Sequence, residues 1–498
     1  MALEQNFYIT NHAQRLNPNT HPNEPIIDSI VDIRLSHSLQ DKVIIGLSNQ
    51  SRQQPQIRLP DELWAEIWGW ILCRETRLKI PFPFIAAWVS RRWRRTALYT
   101  PYLWQNVSVF TSFPVQLLRL QLERSIPCCL TIELDLLWCH HAGQKIQYQN
   151  KDKLALAVSL LSKNIERCRI FELRAAFVDV DGFDIYQRVL KAIMRPLINA
   201  SVPQLERLLI RCPEEDHPGP LFTGGLPRLS NLTLLATQCT TYLPLLHGLT
   251  SLELSCIPHG NALTPTDFQN TVAACPHLTH LAIRNQCIDY EYSGNNAPIP
   301  SFNLPSLISL SVELHHVDRH FARLFFEGFS APRLESLRLH HFQWESYRAF
   351  VLAMCKDPTP RFSNLLKLSL FDVDILHTVL DAESRNYCLK LLLSFPSVQD
   401  LAIYTEDPGD SEFLYLLATR PLCPGLRNLS WLRQFPLENE GQVLRDLVAW
   451  RALHLGSPII TLTCFRDAFD DIDPDSRDWL RQNARVELRR PVAFVEDL

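Results

Sequence analysis

The chain has 498 residues, of which 46% are hydrophobic and 20% are charged, a composition typical of a protein with a large folded core. Its formal net charge of −4, from 49 basic and 53 acidic residues, excludes the large basic excess of a chain whose main partner is a nucleic acid. No stretch approaches the roughly 20 consecutive apolar residues of a membrane-spanning helix, and Glu4 and Gln5 lie where a secretory signal would carry apolar residues. We therefore expect a cytoplasmic protein, a nuclear protein, or one that occupies both compartments.

The cysteines and histidines form no recognisable metal or catalytic motif. The 14 cysteines are dispersed apart from the pair Cys128–Cys129, and none has the CxxC spacing of zinc and dithiol sites. Two histidine pairs, His315–His316 and His340–His341, follow successive predicted strands, but a zinc site needs three or four ligands in a fixed geometry. Phosphate-loop, nucleophile-elbow and metalloprotease motifs are also missing from the sequence. The sequence thus predicts no cofactor, no metal and no enzymatic activity.

The chain begins with a polar segment and then changes composition sharply. Residues 1–54 are predicted to form a poorly ordered extension, in which residues 26–35 have the pattern of a short helix. A longer helix is predicted to begin at Pro60, because proline is tolerated in the first helical turn and the acidic pair that follows favours the positive end of the helix dipole. The apolar residues of this helix recur at helical spacing and are Leu63, Ile67, Trp70 and Ile71. A proline-containing loop, 74–83, ends it.

A second helical pattern covers residues 84–98. Its apolar face contains Ile85, Trp88, Val89 and Trp93, and its other face contains Arg91, Arg92, Arg94 and Arg95. The arginine run has the composition of a nuclear-localisation or nucleic-acid patch, but Trp93 interrupts it at helical spacing. We therefore interpret the run as the solvated face of an amphipathic helix. A turn at Thr100 and Pro101 leads to Leu103 and Trp104.

Residues 55–110 resemble an F-box. The opening pattern of the family stands here as Leu59, Pro60, Glu62, Leu63 and Ile67. The second signature, Val-Ser-Arg-Arg-Trp, runs from Val89 to Trp93, and the closing Leu-Trp is Leu103–Trp104. The three motifs stand in the order of the family, and the middle loop is a few residues longer, as in a fungal F-box-like variant.

Residues 111–470 repeat one short pattern, apolar-x-x-Leu-x-apolar. The central leucines of the copies are Leu208, Leu232, Leu252, Leu281, Leu310, Leu337, Leu368, Leu401, Leu429 and Leu462. Most copies carry a proline two residues ahead of the first apolar position, as at Pro203 and Pro305. Such a proline ends the preceding segment and starts the next extended one.

Each copy predicts a short strand whose two apolar residues point to one side of a sheet while the residue between them points to the other. The residues between copies are predicted to hold helices, as at 185–194 and 442–453. One such unit cannot bury its own apolar face, whereas stacked units can. The sequence therefore predicts an α/β protein: an N-terminal three-helix F-box followed by an irregular leucine-rich-repeat solenoid, with a curved, mostly parallel sheet and helices on its outer face. An ordinary α/β core is the alternative interpretation of these leucines.

A protein target of the repeats is expected to contact the varied side chains between or just after the paired apolar residues. These residues are Arg211, Arg284, Glu313, Arg338, His340, Phe371, Tyr404 and Phe465. Their mixture of aromatic, basic and acidic groups is typical of a protein-recognition surface, although an ordinary exposed strand edge has a similar composition. Residues 471–498 are predicted to form a C-terminal helix, at 476–485, and a tail.

The resemblance to F-box proteins implies a substrate receptor of an SCF-type (Skp–cullin–F-box) ubiquitin ligase. The F-box would bind a Skp-type adaptor, and through it a cullin, while the repeats would hold a protein target. Ubiquitin transfer would then gain from the high effective concentration of the tethered target. The adaptor-binding residues that the resemblance implies are Leu59, Pro60, Leu63, Ile67, Ile71, Val89, Arg92, Trp93, Leu103 and Trp104. No nucleic acid or membrane is expected as a partner, and the chain is expected to be monomeric outside the complex.

Two other functions fit the same sequence. The protein would bind the adaptor without recruiting a ligase if it acts as a scaffold or assembly factor. It would bind only through its repeats if the N-terminal helices are a cap, and in that case Leu63 and Trp93 should be buried against the repeats.

Overall fold

The computed structural model of the protein describes residues 59–74, 81–110, 113–138, 151–177, 183–212, 221–235, 247–255, 262–285, 287–290, 301–314, 319–356, 360–374, 382–405, 411–433, 439–456 and 458–490. The chain divides into two units, Met1–Trp64 and Ala65–Leu498, and the boundary lies inside the first described helix. All of the described strands belong to the second unit.

Fourteen α-helices lie in the described part of the chain. They are α1 Asp61–Arg74, α2 Phe82–Val89, α3 Arg91–Leu98, α4 Val115–Arg124, α5 Lys151–Ser162, α6 Phe183–Ile198, α7 Pro265–Ala273, α8 Arg319–Gly328, α9 Trp344–Met354, α10 Ala382–Ser394, α11 Ser411–Thr419, α12 Glu440–His454, α13 Arg466–Asp470 and α14 Pro474–Asn483. Two short 3-10 helices, Pro101–Trp104 and Ile165–Arg167, lie between them. None of these helices combines the length and the apolar composition that crossing a membrane requires.

Sixteen strands lie in the same described ranges. They are β1 Asn106–Phe110, β2 Leu130–Trp138, β3 Cys168–Phe177, β4 Arg207–Arg211, β5 Asn231–Leu235, β6 Ser251–Ser255, β7 His280–Arg284, β8 Phe302–Asn303, β9 Ser309–Glu313, β10 Phe329–Ser330, β11 Ser336–His340, β12 Lys367–Phe371, β13 Asp400–Thr405, β14 Asn428–Arg433, β15 Thr461–Phe465 and β16 Arg485–Arg489. Fourteen of them form one sheet in which the strand order follows the chain order, while β8 and β10 pair separately. The described pairings are parallel, which confirms the predicted α/β class with a mostly parallel sheet.

The recurring leucines determine both the register and the core. Leu337 on β11 lies in register with Leu310 on β9 and Leu368 on β12, and all three side chains are buried. Because successive side chains of a strand point to opposite faces, the second and fourth residues of a typical strand are buried, whereas the first, third and fifth are partly exposed. The burial predicted for the paired apolar residues is therefore confirmed.

Helices connect most, but not all, of the neighbouring strands. The helices predicted at 185–194 and 442–453 are confirmed by α6 and α12, each a few residues longer than predicted. Between β4 and β5, however, the described residues contain turns and no helix. The buried side chains of Leu221, Phe222 and Leu226 contribute to the core there.

Three arginines bind backbone carbonyl groups at, or just beyond, the C-terminal ends of helices. Arg167 donates to the carbonyl oxygens of residues around the end of α4, and Arg361 donates to three around the end of α8. Arg451 on α12 is fully buried and donates to the carbonyl oxygens of Leu422 at 3.0 Å and Cys423 at 2.7 Å, beyond α11. The last carbonyls of a helix lack intrahelical donors, so each guanidinium satisfies acceptors and ties two stretches of chain together.

Two predicted boundaries differ from the structure. The helix predicted over 84–98 is divided at Ser90, which has an extended backbone (φ −159°, ψ 164°) and whose hydroxyl accepts the N–H of Trp93 as an N-cap of α3. The sheet extends beyond the predicted repeat segment 111–470 at both ends, through β1 and β16. Residues 485–489 thus form a strand rather than the end of a helix and a tail, since α14 ends at Asn483 and β16 pairs with β15.

Candidate functional site

The helices α1 to α3 are held together by aromatic packing. Trp68 is buried, and its ring lies 5.9 Å from that of Phe82 and 4.9 Å from that of Trp93. Trp104 is also buried: its indole N–H donates to the Ala97 carbonyl oxygen at 2.7 Å, and its ring packs edge to face on Phe84. The buried residues of α2 are Pro83, Phe84 and Ala86, whereas the predicted Trp88 and Val89 are exposed. The predicted apolar face of this segment is therefore only partly used for packing within the chain.

Several large apolar side chains in these helices remain exposed. The exposed fractions are 45% for Leu63, 41% for Ile67, 41% for Trp88 and 59% for Val89. Leu63 and Ile67 are four residues apart on α1, a spacing that places side chains on the same side of a helix. When a partner buries exposed leucine, isoleucine and valine side chains, the complex is stabilised by about 25 cal/mol for each Å² of apolar area removed from water.

The predicted adaptor-binding residues divide into accessible and inaccessible ones. Pro60 and Arg92 are exposed like Leu63, Ile67 and Val89, while Leu59 and Trp93 are half-buried. Leu103 and Trp104 are buried in the helical segment, so neither side chain is accessible to an adaptor in this structure. They pack inside the chain because the 3-10 helix Pro101–Trp104 turns them toward α2 and α3. The side chain of Ile71 lies outside the described residues.

The second candidate surface is the face of the sheet opposite the buried leucines, formed in most strands by the first, third and fifth residues, and we call it the outer ladder face. A groove with a volume of about 540 Å³ lies on this face over β11 to β16. This groove, which we call the C-terminal groove, is lined by Arg338, Lys367, Ser369, Phe371, Asp400, Leu401, Ala402, Asn428, Ser430, Thr461, Thr463, Glu487 and Arg489. Its floor consists largely of the third residues of β12 to β15, which are small: Ser369, Ala402, Ser430 and Thr463. Small side chains there leave room above the sheet.

Charged residues elsewhere on the outer ladder face pair with one another. Arg174 lies 3.1 Å from Glu133 and 2.8 Å from Glu172. Arg284 lies 2.7 Å from Glu253 and 3.4 Å from Glu313. Two of the predicted target-binding residues, Arg284 and Glu313, therefore form part of a ladder of ion pairs across neighbouring strands.

The aromatic residues predicted to contact a target are less accessible than expected. Phe465 is buried with Leu432 and Ala468, and Tyr404 packs against that cluster, so the side chain of Phe465 is not accessible to a partner in this structure. Phe371 is 6% exposed, so at most its edge reaches the groove. The segment that follows β15 folds back as α13 and supplies Ala468, which explains the burial of Phe465.

His340 stacks on Phe371, with the ring centroids 4.7 Å apart. Burial is the main cause that lowers the pKa of His340 to about 4, with smaller contributions from the neighbouring His341, Arg338 and Arg284. His340 is therefore uncharged near neutral pH.

The histidine pairs do not assemble a metal site in the described part of the chain. The His341 Nδ1 atom lies 2.7 Å from the Asp372 carboxylate, and both residues directly follow strands with left-handed backbones, at φ 54° and 50°. No group of three His, Cys, Asp or Glu residues with metal-binding geometry occurs among the described residues. His315 and His316 lie outside these residues.

Most of the groove was not recognised in the sequence. Of the predicted target-binding residues only Arg338 and Phe371 line it, while Arg211 is exposed on β4 and lies outside it. Lys367, Asp400 and Asn428 were missed because they are the first residues of their strands, a position that the leucine pattern does not mark. Glu487 and Arg489 were missed because β16 was not predicted as a strand.

No protein-family model matches the chain, and no curated protein matches it. Any functional assignment therefore depends on the two surfaces described above: the exposed apolar residues of α1 and α2, and the outer ladder face.

Proposed function

We propose that the chain is the substrate receptor of an SCF-type ubiquitin ligase, in which an F-box at residues 55–110 binds a Skp-type adaptor and a leucine-rich-repeat solenoid binds a protein target. The exposure of Leu63, Ile67 and Val89 is the main support, because these residues occupy the motif positions assigned to adaptor binding. Of these residues, Leu63 is 45% exposed and Val89 is 59% exposed, so both side chains are accessible to a partner. The chain itself performs no chemistry in this proposal; it holds the target near a conjugating enzyme, where a high effective concentration favours transfer.

The adaptor interface follows from the described side chains. Leu63, Ile67 and Val89 supply the apolar contacts, and the exposed Pro60 and Arg92 flank them in the motifs. Leu103 and Trp104 act indirectly, because their packing positions α2 and α3. The interface proposed here is thus smaller than the full set of motif residues implies.

A pull-down with a purified Skp-type adaptor tests this proposal. The double substitution Leu63→Asp/Ile67→Asp would place unpaired charges in a buried contact, at a cost of about 3 kcal/mol or more, which corresponds to about 100-fold weaker binding. The wild-type chain should bind and the variant should not. The fold should persist because both side chains are already exposed to solvent in the free chain.

A matched control replaces two exposed leucines on the helices between strands, Leu393→Asp/Leu453→Asp, whose exposed fractions are 58% and 79%. This variant carries the same added charge and should bind the adaptor like the wild type. Failure of the wild-type chain to bind, or equal loss in both variants, would overturn the proposal. If the adaptor binds but no cullin co-purifies with the complex, the protein is an adaptor-bound scaffold instead of a ligase receptor.

A further inference from the structure

The C-terminal groove differs from the rest of the outer ladder face in how its charges are arranged. Arg338 is exposed, and its in-register neighbours are Ser311 on β9 and Ser369 on β12, neither of which can form an ion pair. Within the described part of the chain, no carboxylate lies within ion-pair distance of Arg338. By contrast, Arg174 and Arg284 each lie between two glutamates.

Lys367 adds a second cation beside Arg338. It is the first residue of β12, adjacent to the β11 strand that carries Arg338, and its ammonium lies 3.8 Å from Asp400. Asp400 also accepts a hydrogen bond from the Asn428 amide, so its negative charge is shared between two donors. At 62% side-chain exposure, Lys367 remains available to another anion.

The far end of the groove contains a further arginine. Arg489, the last residue of β16, lines the groove together with Glu487, and Glu487 is paired with Arg485 at 3.0 Å. The lining thus contains three cationic residues, Arg338, Lys367 and Arg489, and two anionic residues, Asp400 and Glu487. Because the lining carries one more cation than anion and Arg338 has serines on both sides, an anionic ligand would be attracted more strongly than a cationic one.

We propose that the C-terminal groove binds an extended segment of a protein target that is rich in aspartate and glutamate, with its carboxylates on Arg338 and Lys367 at one end and near Arg489 at the other. This inference rests on the proposed function, because it specifies the target that the repeats would hold. The small floor residues allow the target backbone to lie close to the sheet, where the hydroxyl groups of Ser430 and Thr461 can form hydrogen bonds with it.

The dimensions of the groove set the length of the segment. Six neighbouring strands, β11 to β16, span five gaps of about 4.8 Å, or about 24 Å. An extended chain covers about 3.3 Å for each residue, so about seven residues fit across the groove. The cations are divided between the two ends, which suits several separated carboxylates. A phosphate group would instead require several donors that converge on one point.

A binding assay with the full chain and no adaptor tests this inference. The probe is a fluorescein-labelled peptide of about eight alternating Glu and Ser residues, and its binding is followed by fluorescence anisotropy. A peptide with Gln in place of Glu, and the same Gln peptide with phosphorylated serines, serve as comparisons. The acidic peptide should bind, the Gln peptide should not, and binding should weaken as salt rises from about 0.05 to 0.3 M.

Two charge-reversal variants locate the binding. Arg338→Glu/Lys367→Glu should weaken binding by at least about tenfold, because attraction becomes repulsion at one end of the groove. Arg195→Glu/Arg323→Glu changes two exposed arginines on α6 and α8, outside the groove, by the same total charge, and should leave binding unchanged. Arg338→Gln/Lys367→Gln provides a milder variant if the reversal lowers the melting temperature.

The possible results separate clearly. Absence of binding to the acidic peptide, equal loss in the groove variant and in the helix control variant, or binding of the phosphorylated peptide alone would each overturn the inference. Because no adaptor is present, these results are independent of the pull-down. A chain that binds the adaptor but not the acidic peptide would retain the proposed function with another kind of target.

Discussion

Replacement of Arg451 by methionine tests whether this buried arginine holds α12 against the segment that follows α11. The methionine side chain fills most of the same space but donates no hydrogen bond. The Cys423 carbonyl would keep a bond from the Leu426 N–H, whereas the Leu422 carbonyl would lose the only donor found for it in the described part of the chain. The loss of a charge-assisted hydrogen bond and of the only donor to a buried acceptor lowers local stability by about 3 kcal/mol. Removal of a buried charge raises it by about 1 kcal/mol. The net expectation is a loss of about 2 kcal/mol in local stability.

Hydrogen exchange measured by mass spectrometry is the appropriate assay, because a long chain of stacked units does not unfold in a single step. A loss of about 2 kcal/mol predicts about 30-fold faster exchange in α11, α12 and the segment between them. Arg420→Met changes an exposed arginine just beyond α11 and should have no such effect. Unchanged exchange around Leu422 in the Arg451 variant, or an acceleration spread evenly over the chain, would refute this account of the arginine.

Two further predictions concern other buried groups. Trp104→Phe removes the hydrogen bond to the Ala97 carbonyl and should lower the melting temperature of the helical segment. The fraction of the variant that remains folded should bind the adaptor normally. Loss of adaptor binding with an unchanged melting temperature would instead show that Trp104 contacts the adaptor. Because the pKa of His340 falls from 6.5 to about 4 in the folded chain, the unfolded chain takes up a proton first as the pH falls, so the free energy of unfolding should decrease between pH 6.5 and 4. His340→Phe keeps a ring stacked on Phe371 and should reduce this pH dependence, measured by urea unfolding at several pH values; an identical slope in the variant would contradict the low pKa.

The sequence predicted the strands well because their signal is local. A strand of the Leu232 or Leu310 type places two apolar residues on one face, and stacking of neighbouring copies then determines the register. The same rule misplaced Phe465, since the pattern describes the strand and not α13, which folds back beside it. Likewise, the pattern of 84–98 fits one continuous helix, and only the cap formed by Ser90 divides it.

The groove could not be predicted from the chain in the same way. Its charge depends on which residues are neighbours across strands, and Arg338 is unusual only because serines, Ser311 and Ser369, occupy both in-register positions beside it. β16 carries an alternating sequence, Arg-Val-Glu-Leu-Arg, but lacks the leading proline and the leucine pair that marked the earlier strands. The exposure of Leu63 and Ile67 is likewise a property of the folded helices, because apolar residues at helical spacing normally indicate a buried face.

The strand order of the sheet has a mechanical consequence. Within the 14-stranded sheet each strand pairs only with the strands before and after it in that sheet, so coupling between distant strands passes through every strand between them, and the last strands can fray while the middle stays folded. The C-terminal groove covers the last six strands of the sheet. A segment bound across the groove would contact several strands at once, whereas each strand otherwise pairs only with its two neighbours in the sheet. Its binding free energy would therefore oppose fraying at that end of the sheet. Binding of a target would then stabilise the last strands of the sheet, and release of the target would destabilise them.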